Sequence, residues 1–91
     1  MKATKIKMQS GCSNSNSCLA IDEIYISGST NSGFYPKASV HDHLQSNPGS
    51  IQVDIYPYPD LLPAISSNNE KYVRSGPNDS EHDNLLKLPR V

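Results

Sequence analysis

Lys71-Tyr-Val-Arg74-Ser-Gly-Pro-Asn78-Asp79-Ser-Glu-His-Asp83-Asn84-Leu85-Leu86-Lys-Leu88-Pro89 is the stretch around which the rest of this chain is organised. It reads as a strand over Lys71–Ser75, a polar turn, and a short apolar anchor closed by proline. Ser80 with Asp83 three residues on resembles a capping box, which predicts one helical turn over Glu81–Leu86. A strand that ends in three leucines needs an apolar surface to close on. The upstream chain supplies it.

Moving outward, Ile51-Gln-Val53-Asp-Ile55-Tyr-Pro57 alternates cleanly, with Ile51, Val53 and Ile55 on one face. That period predicts a half-buried strand, and this one is expected at the centre of the sheet. Pro57-Tyr-Pro59-Asp60 breaks it, and Leu61–Ile65 returns as a short strand whose Pro63 demands an edge or a bulge. Before it, Lys37–Ser46 is the helix candidate. Pro36 suits a first turn, Val40 and Leu44 make a narrow apolar stripe, and Asn47-Pro48-Gly49 stops it. Two N-terminal strands, Thr4–Gln9 and Leu19–Ser27, form a hairpin around a serine-rich loop. Ile21 is out of phase with Ile24, so a bulge or a late strand start is expected there. Gly28–Gly33 reads as a second polar loop. The order β-β-α-β-β-β predicts an α+β fold. Its sheet is antiparallel or mixed, of four or five short strands, with one helix packed on one face.

Length and composition set limits. Ninety-one residues make one domain, expected to span residues 1–91. At this size roughly 65% of the unfolded surface is buried, so the core is thin. Only 35% of residues are apolar, and Ser and Asn are over-represented. The net charge of -1 offers no basic field for phosphates, which argues against nucleic acid as a partner. Lys residues interrupt the N-terminus where a signal peptide needs an apolar run, and the longest apolar run is Leu61–Ile65. No membrane partner and a cytoplasmic location are expected.

Tyr72-Val-Arg74, then Asn78-Asp79, then Asp83-Asn84-Leu85-Leu86-Lys-Leu88-Pro89 resembles the ending of a family of small, uncharacterised, mostly bacterial proteins. That family is a domain of unknown function whose members close with Y-x-R, a Gly/Asp-containing turn and N-L-L-x-L-P. Upstream, the likeness is one of element order only. It implies the same small fold and a prokaryotic or phage setting, and no activity. The loop holding Cys12 and Cys18 has no counterpart in it.

Four sets of residues are chemically suggestive. Cys12 and Cys18 are separated by five residues, outside the usual structural-zinc spacing, so reduced thiols are expected over a disulfide or a metal. On a helix, His41 and His43 lie about 200° apart, so they cannot share one ion. They are expected on the solvent side. Tyr56-Pro57-Tyr58-Pro59 offers an interaction surface, for a peptide or a second copy, or else a rigid turn over the sheet end. Tyr72, Arg74, Asn78, Asp79, Asp83 and Asn84 gather donors and acceptors that suit a small anionic or nucleotide-like ligand. The same residues also serve to close the fold. Serines, histidines and aspartates are numerous, but no strained nucleophile elbow is present, so catalysis is not expected. Nor is a cofactor. The sequence points to a non-enzymatic binding or interaction domain, with a protein partner or homodimer as the candidate assembly.

Overall fold

The computed structural model describes residues 1–15, 17–28, 30–75 and 84–91. Among the described residues, six strands, one α-helix and two short 3-10 turns make an α+β fold. The strands are β1 (Lys2–Met8), β2 (Ile21–Ser27), β3 (Gly33–Pro36), β4 (Gln52–Val53), β5 (Leu62–Ile65) and β6 (Lys71–Arg74). The helix α1 spans Lys37–Ser46, and 3-10 turns lie at Cys18–Ala20 and Asn84–Lys87. One mixed sheet has the order β3-β2-β1-β4, and β5-β6 form a separate hairpin. Within the four-stranded sheet β1 and β4 pair in parallel, and its other strand pairs are antiparallel.

Two irregularities set which side chains point inward. Ala3 pairs with Ile26 and Lys5 with Tyr25, so Thr4 is an extra residue on β1. Strict alternation would put Ala3 and Ile6 on opposite faces. The bulge at Thr4 brings both into the core and leaves Lys2, Lys5 and Lys7 on the other side. On β2, Lys7 pairs with Glu23 and Met8 with Ile21, so Asp22 is the extra residue. This is the bulge expected between Ile21 and Ile24, and it buries both.

The inner face of the sheet supplies Ala3, Ile6, Ile21, Ile24, Ile26 and Val53 to one cluster with Val40, Leu44, Leu61, Val73 and the three anchor leucines. Adjacent strand residues point to opposite faces, so burial of both Tyr72 and Val73 means that β6 is covered on both sides. Ser66 closes the β5–β6 hairpin. Its Oγ accepts from the amides of Asn68 and Glu70, and Asn69 takes a left-handed conformation at φ 61°.

Three expectations are corrected. A strand β3 lies between the second loop and the helix, pairing with β2 from Glu23↔Pro36 to Ile26↔Gly33. The Ile51–Tyr56 stretch is not a central strand. Only Gln52–Val53 pair with β1, because the chain then turns through Tyr58 (φ 60°) and doubles back on itself. Leu61 N–H donates to Ile51 O and Val53 N–H to Pro59 O, so the outer side of β4 is taken by its own continuation. The expected inward face holds for Ile51 and Val53, both buried.

The histidines are the third correction. His41 is 2% exposed and faces the interior, while His43 is on the solvent side. The helix buries Lys37, Val40, His41 and Leu44, positions i, i+3, i+4 and i+7 of one stripe. Half of that stripe is polar and satisfied from other elements. Lys37 Nζ donates to Leu19 O at 2.6 Å and to Glu70 Oε2 at 2.7 Å. His41 Nδ1 lies 3.1 Å from Tyr72 O, and a carbonyl only accepts, so Nδ1 carries the proton. An exposed pair, Lys71–Asp42 at 2.8 Å, adds a link from β6 to the helix. The Lys71 hydrogen bond holds the Asp42 carboxyl below its ordinary value.

The closing residues join the sheet. The turn at Asn84–Lys87 buries Leu85 and Leu86, and Leu88 follows them inside. Ile6 N–H then donates to Pro89 O and Val91 N–H to Ile6 O, a parallel bridge between Ile6 and Arg90. The tail thus takes up the edge of β1 past the point where β4 turns away.

Candidate functional site

The residues of the expected anion site are only partly gathered. Tyr72 is buried in β6, and its carbonyl is committed to His41. Asn84 opens the 3-10 turn and is half-buried. Arg74 ends β6 opposite Leu62, and its Nε is buried with no hydrogen-bond partner among the described residues. Asn78, Asp79 and Asp83 lie outside the described residues, as does most of the proposed capping box.

The Tyr-Pro patch is exposed. Tyr56 is 81% and Tyr58 48% exposed, and their rings meet edge to face at 6.1 Å between centroids. Lys2 Nζ stands 4.6 Å from the Tyr58 ring centroid. That contact joins the patch to a larger surface that the sequence did not reveal.

This surface is the outer face of the sheet. Phe34, Tyr25 and Lys5 are direct cross-strand neighbours on β3, β2 and β1. Tyr25 and Phe34 meet edge to face at 5.2 Å, and Lys5 Nζ stands 5.4 Å from the Tyr25 ring centroid. The next row carries Pro36, Glu23 and Lys7, with Lys7 3.9 Å from Glu23. At the other end Lys2 lies between Ser27 and Gln52. Three lysines of one strand therefore run between two pairs of aromatic rings, Tyr25/Phe34 and Tyr56/Tyr58. Each ammonium near a ring face gains a modest electrostatic attraction there. The signal available in the sequence was the Lys-x-x-Lys-x-Lys spacing of β1, whose common face becomes visible only once the bulge at Thr4 is placed.

A cavity of about 370 Å³ lies on the opposite side of the sheet, beside α1. Ile26, Val40 and Ile51 line it together with Tyr35, Ser39 and His43, and the Tyr35 hydroxyl donates to Asn31 O. Of the residues singled out from the sequence for their chemistry, His43 borders it. Cys12 is half-buried, Cys18 is buried, and the two are not joined in a disulfide. Among the described residues, no group of three or more His, Cys, Asp or Glu side chains is placed to hold a metal ion. No helix among them is long and apolar enough to cross a membrane.

No curated protein and no solved structure matches the chain. One family model, described as a protein of unknown function (DUF3892), matches residues 3–89, from the bulged start of β1 to the proline that closes the leucine anchor. The chain belongs to the DUF3892 family.

Proposed function

We propose that this chain is a non-enzymatic binding module of the bacterial or phage cytoplasm, and that its partner docks on the outer face of the four-stranded sheet. The observation that carries this reading is the pairing of exposed rings with lysines across that face. Phe34, Tyr56 and Tyr58 remain exposed although the core is short of apolar residues. Exposed aromatic side chains are a common feature of docking surfaces, because they give large contact area at low entropic cost. The Y-x-R and N-L-L-x-L-P ending then belongs to the family as a folding element, since its leucines are all internal.

Placing a photo-crosslinking p-benzoylphenylalanine at Phe34 or at Tyr58 tests the face in cells. A discrete adduct from both positions, lost when Lys2, Lys5 and Lys7 are replaced by Gln, is the expected result. A self-adduct identifies a homodimer, and a protein adduct a heterologous partner. Absence of any discrete adduct from either position on folded protein rules the face out.

A second reading is favoured by one specific observation, the buried Nε of Arg74 with no hydrogen-bond partner among the described residues. An anion reaching Arg74 satisfies that donor, as a carboxylate or phosphate does in a guanidinium fork. Ligand binding to the native state raises the melting temperature. A rise of a few degrees with millimolar phosphate or nucleotide is expected here, and Arg74→Gln abolishes it. No rise with any anion dismisses the Arg74 site.

A further inference from the structure

We infer that the cleft beside α1 is a binding site for a small uncharged aromatic molecule carrying one hydroxyl or N–H group. The cleft lies across the sheet from the docking face and shares none of its residues, so the two roles stand or fall separately. Strand register opens it. Ile26 pairs with Gly33 and Ile24 with Tyr35, so positions 33 and 35 stand on the inner face of the edge strand β3. A side chain at 33 would lie beside Ile26, about 5 Å away. Glycine leaves that place empty, and a methyl carbon built on it meets no atom within 4 Å beyond its chain neighbours. Tyr35 stands at one wall with its hydroxyl held by Asn31 O, and α1 forms the other with Ser39, Val40 and His43. Ile26, Val40 and Ile51 line the cleft although all three are buried, so its apolar floor is reached through a narrow slot.

The walls select the ligand. A volume of about 370 Å³ is at the small end of the roughly 300–1,000 Å³ of ligand sites, which suits one or two rings. A narrow slot takes a flat body. Among the described residues no Lys, Arg, Asp or Glu lines it, so a charged ligand would lose hydration without gaining a counter-charge. The rim offers one polar point. Ser39 and His43 are one helical turn apart, and neither side chain has a hydrogen-bond partner among the described residues. Asn47 engages only the His43 carbonyl. A hydroxyl and an imidazole can both donate and accept, so the pair matches a phenolic hydroxyl or a ring N–H.

Amide NMR spectra of the full chain test this with p-cresol, naphthol and indole, set against toluene, benzoate and benzylammonium. Saturable shifts at Ile26, Ser39, Val40, His43 and Ile51 are expected with the three neutral polar rings. Dissociation constants on the order of 0.1–1 mM suit ligands of about ten heavy atoms. Toluene binds roughly three- to tenfold more weakly than p-cresol for want of the hydrogen bond, and joint replacement Ser39→Ala with His43→Ala removes that difference. Benzoate and benzylammonium leave the spectrum unchanged. Gly33→Leu and Ser39→Phe each fill the slot and abolish binding. Position 33 has an ordinary strand backbone with open space before it, and Ser39 is exposed, so both variants are expected to fold and their own spectra verify it. A folded parent whose cleft amides stay unmoved by millimolar p-cresol, naphthol and indole overturns the inference. So does binding of toluene or of a charged ring as tight as that of p-cresol, or binding that survives in both folded plug variants.

Discussion

Deleting residues 85–91 is expected to unfold the chain. Leu85, Leu86 and Leu88 are all buried, and each contributes about 2 kcal/mol by burial alone. A chain of this length has a whole stability of about 5–10 kcal/mol, so their joint loss removes most of it. The deletion also strips Ile6 of both its tail hydrogen bonds, Ile6 N–H to Pro89 O and Val91 N–H to Ile6 O. Far-UV circular dichroism and a urea titration read the result. A collapsed chain without a cooperative transition is expected, and a truncated protein with a sharp native-like transition contradicts the assignment. Leu85→Ala grades the effect, with a cost of about 2–5 kcal/mol for a fully enclosed leucine.

The second large effect is expected at Lys37. Its side chain is 11% exposed and serves two acceptors, the Leu19 carbonyl and the Glu70 carboxylate. Lys37→Met keeps the aliphatic stem but removes both hydrogen bonds and leaves Leu19 O without this donor. Hydrogen bonds to charged groups contribute about 1.5–3 kcal/mol. A loss of about 2 kcal/mol is expected, a fall of about 1 M in the urea midpoint for a domain this small. Glu70→Gln is expected to cost under about 1 kcal/mol, because Glu70 is half exposed and Gln retains an acceptor. Buried ion pairs are sometimes replaced by apolar residues at no cost. If Lys37→Met matches the parent midpoint, the apolar stripe alone holds the helix and the polar pins are incidental.

Those two residues also explain what the sequence conceals. The helix bounds Lys37–Ser46 were legible, because Pro36 and Asn47-Pro48-Gly49 are strong local signals. Its buried stripe was not, since Lys37 and His41 look like solvent residues until Leu19, Glu70 and Tyr72 arrive to satisfy them. β3 was hidden for a different reason. Gly28–Gly33 has loop composition, and Phe34-Tyr35-Pro36 is too short to show a period. The Ile51–Ile55 alternation reported the buried face faithfully but overstated the ladder, because turns at Pro57 and Tyr58 redirect the chain after Val53.

The candidate face was illegible for a geometric reason. Its residues come from β1, β2, β3 and the Tyr56–Tyr58 loop, so no single stretch of the sequence displays it. Tyr56 and Tyr58 were singled out from the sequence, yet their aromatic and cationic neighbours depend on strand order. Arg74 was readable as a candidate cation from its place in the tail. Its buried Nε depends on packing that no local pattern encodes.

The bridge between Ile6 and Arg90 has a consequence for synthesis. β1 receives a neighbour from residues made 84 positions later, counting from Ile6 to Arg90. β4, about 50 residues downstream of β1, cannot stand in for it, since it pairs only with Lys2 and Ala3. A nascent chain therefore carries an incomplete β1 edge until the segment around Arg90 has been made, and pairings this distant in sequence form slowly. Lys2, Lys5 and Lys7 on that strand discourage edge-to-edge association while its edge is still open.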